Sequence, residues 1–254
     1  MKSLPPILML HHVEPGPLDP PPLYPNSYLS RADFAGFLDG LETQGYRTLT
    51  LSAALQGQPP RRSVVLTFDD GCRCFRDHAF PELQARGMTA TLFVVSRELG
   101  GTNKWDRPAE GPGERSEELL GPGDLRRLAA AGIEIGSHGR HHRDLTALSD
   151  EELREEVQGS RSDLEAMLDT PVRTFCYPYG HVDDRVRDAA EAAGYLAAVS
   201  IHARPGDPWT LPRMIINPGE SRFERRLKAN GLYPLWSRLP RFGVLSALRG
   251  RGAA

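Results

Sequence analysis

An α/β architecture with parallel strands is what this sequence predicts, and two observations predict it. A helical stretch, a glycine able to end it in a left-handed conformation, and a short apolar strand recur in that order along the chain. Such alternation favours parallel strands joined by right-handed crossovers. At 254 residues the chain also has the length for one domain around one core.

In chain order, the first strand is 6–10, an apolar run behind two prolines. Ser30 then stands three residues ahead of Asp33, the spacing of an N-cap, and opens a helix that reaches Gly45. Strand 46–51 follows. The run Val64-Val65-Leu66 marks a strand over 64–68, and a helix reaching Gly87 precedes strand 89–95. Gly132 separates another helix from strand 133–136. Ser149 and Glu152 repeat the capping pattern, which starts a helix before strand 172–176. Gly194 ends one more helix before strand 195–200, and 211–216 is the last strand. About eight strands suffice to close a small barrel. An open doubly wound sheet fits the same order.

Composition excludes several function classes. Lys+Arg 31 against Asp+Glu 33 leaves a formal charge of −2, which supplies no broad attraction for nucleic acid phosphates. No apolar run approaches the roughly 18 to 20 residues of a membrane span. The apolar stretch behind Pro6 is shorter than the roughly 7 to 15 residues of a secretory h-region, so a cytoplasmic location is expected. Cys72, Cys74 and Cys176 are odd in number and read as small buried thiols rather than a disulfide or zinc framework. Prolines crowd residues 15–25, which reads as an extended surface loop. A second long loop, about 99–118, carries Trp105 and reads either as a functional lid or as a solvated insertion. Residues 221–254 hold eight Lys or Arg and one acid, a local +7 that leaves −9 elsewhere. The expected organisation is a barrel domain over 1–220 and a basic amphipathic segment over 221–254. That segment either covers the barrel's underside or lies on an anionic membrane, as a peripheral contact, or on a partner.

The chemistry concentrates where strands end. Thr67-Phe68-Asp69-Asp70-Gly71 follows an apolar strand. Adjacent strand residues point to opposite faces, so both carboxylates can serve one centre only where the backbone turns, which Gly71 permits. Strand 133–136 runs into Gly136-Ser137-His138-Gly139-Arg140-His141-His142. His138 and His142 are four apart and can meet one ion. With Asp70 they make two imidazoles and a carboxylate, a donor set typical of catalytic zinc. Tyr177-Pro178-Tyr179-Gly180 closes a third strand with a rigid turn, and His11-His12 follows the first. All four clusters sit at the carboxyl ends of predicted parallel strands, the rim where barrel enzymes assemble their sites.

These motifs resemble those of the polysaccharide deacetylases, the NodB-homology domain of carbohydrate esterase family 4, over about residues 4–216. The resemblance implies a distorted (β/α)7-8 barrel and a metal-dependent hydrolase that removes acetyl groups, N-acetyl first among them, from a saccharide. It assigns Asp69 as general base, Asp70, His138 and His142 as ligands of a divalent metal, Zn2+ in the first place, and the Tyr179 backbone N–H as oxyanion donor. Three departures stand out. Cys176 occupies the place of an arginine that orients the base in many members, and Arg213 is the expected substitute. Gly139 stands where Ser or Thr is usual. No histidine follows His202 to act as the acid. One branch, which includes biofilm poly-N-acetylglucosamine deacetylases, has a permuted barrel whose first strand supplies that histidine. By this resemblance His11 is the acid, with His12 as the alternative.

Substrate contacts are expected from Trp105, Tyr177, Pro178 and Tyr179, with Trp209 as a further stacking candidate. Two rival functions use the same residues. A ferrous oxygenase also binds its iron through two His and one carboxylate, but has no evident use for Asp69 beside Asp70. A catalytically inactive glycan-binding barrel would accommodate the departures at Cys176 and Gly139.

Overall fold

The computed structural model describes residues 4–16, 25–106, 116–202, 204 and 206–237. Its strands are β1 (Ile7–Leu10), β2 (His12–Glu14), β3 (Tyr28–Ser30), β4 (Arg47–Leu49), β5 (Ser63–Phe68), β6 (Thr91–Val94), β7 (Glu134–Ser137), β8 (Thr174–Cys176), β9 (Ala197–Ser200), β10 (Leu211–Pro212) and β11 (Met214–Ile215). Its helices are α1 (Arg31–Thr43), α2 (Leu51–Gln56), α3 (Phe80–Ala85), α4 (Pro122–Ala130), α5 (Asp150–Leu168), α6 (Asp184–Ala192), α7 (Arg222–Ala229) and α8 (Tyr233–Trp236).

Every pairing in the main sheet is parallel, in the order β10-β9-β8-β7-β6-β5-β1-β11. β10 pairs with β9, whereas β11 pairs with β1, and only Arg213 separates the two short strands. Segment 211–215 therefore joins both edges, and the sheet curls into a barrel rather than an open doubly wound sheet. Gly45, Gly87, Gly132 and Gly194 all have φ between 60° and 90°, the left-handed stops that the recurring pattern requires. Ser30 Oγ accepts the Asp33 N–H, and Ser149 forms a capping box with Glu152.

The strand expected over 46–51 is shorter in the structure. β4 pairs only with the first half of β5, and β6 pairs with the second half. Thr50 causes the early end, because its hydroxyl accepts the Ala53 N–H at 3.2 Å and caps α2, so Leu51 is helical. β2 and β3 form a separate parallel pair that the sequence pattern did not indicate.

Strand alternation divides the core in two. Ile7, Val65, Phe93, Cys176, Ala197, Val199 and Leu211 form the barrel interior, plugged from below by Leu51 and Ala54 of α2. Their neighbours Leu8, Val64, Leu66, Leu92, Val94 and Phe175 face outward to the helices. Burial on both faces explains the unbroken apolar runs. Inside, a Cβ on Gly136 would come within 2.5 Å of the Phe93 ring, so the glycine lets Phe93 cross the barrel beneath the rim.

α7 lies on α1. Ser221 and Glu224 cap it reciprocally, Arg225 Nη1 donates to the Asp33 carbonyl at 3.0 Å, and Lys228 Nζ donates to the Ile215 carbonyl. Residues 238–254, which carry half of the basic charge in the C-terminal segment, lie outside the described residues. No described helix is long and apolar enough to cross a membrane.

Candidate active site at the carboxyl ends of the strands

Two adjacent carboxylates reach one rim because the backbone reverses between them. The Asp69 N–H still pairs with the Leu10 carbonyl at 3.2 Å, in register with β1. Asp70 then adopts φ 70° and Gly71 φ 74°. A Cβ on Gly71 would lie 2.9 Å from Val94 Cγ1, so only glycine fits this approach. His142 (φ 57°) and Tyr179 (φ 59°) are also left-handed without being glycine. Such conformations cost of order 1–3 kcal/mol each and persist where surrounding packing enforces them.

Asp69 sits in a buried pocket of polar groups. Arg213 Nη1 donates to its Oδ1 at 2.7 Å, and Nη2 of the same guanidinium lies 3.1 Å from Cys176 Sγ. Both side chains are 2% exposed. On the other oxygen, His11 Nε2 stands 3.7 Å from Oδ2. Burial alone would raise the Asp69 pKa, but the charge and hydrogen bond of Arg213, aided by His11 and His138, outweigh it and hold the carboxyl far below the usual carboxylate range. Burial lowers the His11 pKa; the Asp69 charge opposes that and Arg213 adds to it. Arg213, expected to orient the Asp69 carboxylate, thus meets it from the junction of β10 and β11, with Cys176 leaving room beneath. His12 turns the other way, stacked on Tyr28 at 4.1 Å with Nδ1 3.7 Å from Cys74 Sγ.

The second group is Asp70, His138 and His142. Asp70 Oδ1 is 3.5 Å from Nε2 of each imidazole, and a donor atom from each residue lies within 4.8 Å of the others. His138 Nδ1 is 2.7 Å from the Cys176 carbonyl; donating there leaves its Nε2 lone pair facing Asp70. Burial pushes the His138 pKa down to about 4, and His142 also lies well below the ordinary value through burial and the neighbouring His138. Two neutral imidazoles and a carboxylate at this separation suit a divalent cation. Trp105 stacks on the His142 ring at 4.7 Å, and Tyr179 meets it edge-on at 4.6 Å.

One residue of the site was not anticipated. Glu156 of α5, 2% exposed, accepts from the N–H groups of Arg140 (2.8 Å) and His141 (3.0 Å) through Oε2, and lies 2.7 Å from His141 Nδ1 through Oε1. It anchors the loop that carries both imidazoles. A Cβ on Gly139 would come within 3.1 Å of Glu156 Oε2 at φ 81°, which accounts for glycine where a hydroxyl residue was expected. The signal was present in α5: Leu153, Glu156, Val157, Ser160 and Leu164 form one buried stripe, and an acid on that stripe needs partners.

Part of the expected substrate surface is buried. Tyr177 is 1% exposed with its hydroxyl bonded to the Trp209 carbonyl at 2.8 Å, and Pro178 is buried too. Their side chains shape the turn instead of offering a face to a sugar. Trp209 packs beneath Arg187, whose guanidinium lies 5.0 Å from its ring. Tyr179, 44% exposed, remains open to the rim, and Trp105 is half-buried against Cys72, Cys74 and Leu119. All three cysteines are buried, and none forms a disulfide.

Fold and rim together define an α/β-barrel protein with the carboxylate and imidazole layout of a hydrolase. The family model for polysaccharide deacetylase matches residues 56–198, more than half of the chain, and the chain belongs to that family. Its members are carbohydrate deacetylases, hydrolases by reaction class. YxkH of Bacillus subtilis (strain 168), whose name assigns it to the polysaccharide deacetylases, is 27% identical over 226 residues, 85% of this chain and 72% of its own. A poly-beta-1,6-N-acetyl-D-glucosamine N-deacetylase of Staphylococcus aureus (strain MRSA252) is 22% identical over 220 residues, covering 80% and 72%. The structure of the Streptococcus pyogenes deacetylase PplD in complex with acetate superposes with a TM-score of 0.76 at 21% identity, over 90% of this chain and 99% of that one, which establishes the shared fold. His11 and Arg213 both lie outside the matched segment.

Proposed function

We propose that this protein is a metal-dependent hydrolase that removes N-acetyl groups from a glucosamine-containing saccharide. The observation that supports it most is the meeting of Asp69, Arg213 and His11 with Asp70, His138 and His142 on one barrel rim. The relative named for poly-beta-1,6-N-acetyl-D-glucosamine N-deacetylation supports the substrate class.

Asp70, His138 and His142 would hold the cation, and Zn2+ suits their donor set. When bound, such an ion polarises the acetyl carbonyl and acidifies water. Asp69 is the base. Arg213 keeps it ionised and aimed, so its carboxylate takes the proton from the attacking water. His11 Nε2, 3.7 Å away, is placed to pass that proton to the departing nitrogen. The products are acetate and a free amine. The Tyr179 backbone N–H serves the developing oxyanion, a donor worth roughly 2.7 to 4 kcal/mol in such sites. Trp105 and Tyr179 offer aromatic faces to the sugar.

Acetate release from N-acetylglucosamine oligomers, with and without chelator, tests this. Asp69→Asn is expected to abolish turnover and leave sugar binding intact. If wild type releases no acetate from any acetylated saccharide yet binds sugar, the protein is a glycan-binding barrel instead. Equal turnover with and without chelator would refute the metal requirement.

A further inference from the structure

His12, Cys72 and Cys74 take no part in that mechanism, yet all three are buried, His12 and Cys72 beside Asp70 and Cys74 against His12. His12, Asp70 and Cys72 offer a nitrogen, an oxygen and a sulfur that all lie within 4.8 Å of one another, and each residue is at most 7% exposed. The local structure explains the meeting. His12 follows His11 with the alternation of an extended chain, so its ring faces away from Asp69 and stacks on Tyr28. Cys72 follows the left-handed turn at Asp70 and Gly71, which brings its side chain back under Asp70. A backbone bridge from Cys72 to Leu119 ties the segment down.

We propose that His12, Asp70 and Cys72 form a second cation site, selective for a thiophilic divalent ion such as Zn2+ or Cd2+, which shares Asp70 with His138 and His142. Imidazole, carboxylate and thiolate together favour a soft or borderline ion over Mg2+ and Ca2+, whose ligands are oxygens. A carboxylate has two oxygens and about four lone-pair positions, so Asp70 can serve both groups at once. Cation binding displaces the Cys72 thiol proton to solvent and forms the metal–sulfur bond, with no change of oxidation state. Cys74 acts differently. Its Sγ lies 3.7 Å from His12 Nδ1 and it is not among the three residues whose donor atoms converge, so it orients the imidazole from behind.

Sharing Asp70 has a consequence for turnover, one that rests on the deacetylase reading, whereas the site itself does not. A second cation draws on the carboxylate that the first requires, so excess Zn2+ is expected to inhibit the enzyme.

The test is a CdCl2 titration of the metal-free full chain, followed by equilibrium dialysis and by the ultraviolet charge-transfer band of cadmium thiolate. Wild type should bind two equivalents, one of which carries the band. Cys72→Ser should lose the band and one equivalent. Cys74→Ser should keep both. His142→Ala should keep the band and lose the other equivalent, so failure of either site is read separately. His12→Phe, which preserves the stack on Tyr28, should weaken the band titration at least about tenfold, as loss of a ligand partner does at metal sites. It decides the matter if Cys72→Ser does not fold. Cd2+ binding in wild type without the band, a band that survives Cys72→Ser, or one that vanishes with Cys74→Ser instead, overturns the proposal.

Discussion

Replacing Arg213 by Met keeps most of the side-chain volume and removes the guanidinium that donates to Asp69. In the native protein the two side chains are each 2% exposed and 2.7 Å apart. Breaking a buried pair by deleting one partner costs about 3–5 kcal/mol, because the remaining charge is left without compensation. For a chain of this size about 2–4 °C of midpoint accompanies each kcal/mol, so the unfolding midpoint near neutral pH should fall by about 6–20 °C. The titration of Asp69 should reverse as well. Its folded pKa is depressed, so its stabilisation is complete above the unfolded value of about 4 and disappears as pH falls from there toward the folded value. Without Arg213, burial, already the largest single influence, is opposed only by the weaker effects of His11 and His138 and lifts the folded pKa above the unfolded one. The variant should then regain part of its deficit on acidification through that raised value. Thermal unfolding from pH 4 to 8 reads the first effect, and the acidic limb of the kcat/KM profile, shifted up by at least about one pH unit, reads the second. Arg213→Lys should fall between, since an ammonium cannot reach Asp69 and Cys176 as a fork. A midpoint within 2 °C of wild type together with an unmoved acidic limb would refute the electrostatic account of the base.

Removing the loop anchor by Glu156→Ala should weaken metal affinity about 10- to 100-fold, the usual effect of losing a partner behind metal ligands, measured by competition with a chromophoric chelator. Glu156→Gln, which keeps the shape, should recover part of that affinity; equal loss in both would mean that charge rather than geometry matters. With His11 proposed to deliver the proton, His11→Ala should lower kcat by about 10²- to 10⁴-fold with metal content unchanged. Gly139→Ser should destabilise by roughly 1–2 kcal/mol, the cost of a side chain in a left-handed conformation, and more if Glu156 cannot give way. An unfolding curve superimposable on wild type would contradict it.

How much of this was readable in advance follows from the range of each interaction. The helix caps at Ser30 and Ser149 and the four glycine stops depend on residues within a few positions of each other, and they appear where expected. The strand at 46–51 misled because its apolar pattern continues into Leu51, while the decisive contact, Thr50 hydroxyl to Ala53 N–H, favours helix. Tyr177 and Pro178 belong to a recognisable motif, yet only packing reveals that their side chains face inward. Glu156 escaped notice because an acid within a charged helix is ordinary until its burial is known.

By itself, then, the order of residues determined the parallel α/β alternation, the turns that present Asp70, His142 and Tyr179, and the chemical types gathered at the rim, all through local backbone preferences and motif spacing. Tertiary structure supplied the contacts behind two expectations that resemblance had offered, Arg213 reaching Asp69 across 144 positions and His11 rather than His12 facing that carboxylate, and it alone decided that segment 211–215 closes the barrel and that Gly139 makes space for Glu156. Those outcomes are set by contacts between segments distant in the chain, where the face a side chain presents and the volume left beneath it exist only once the barrel has formed.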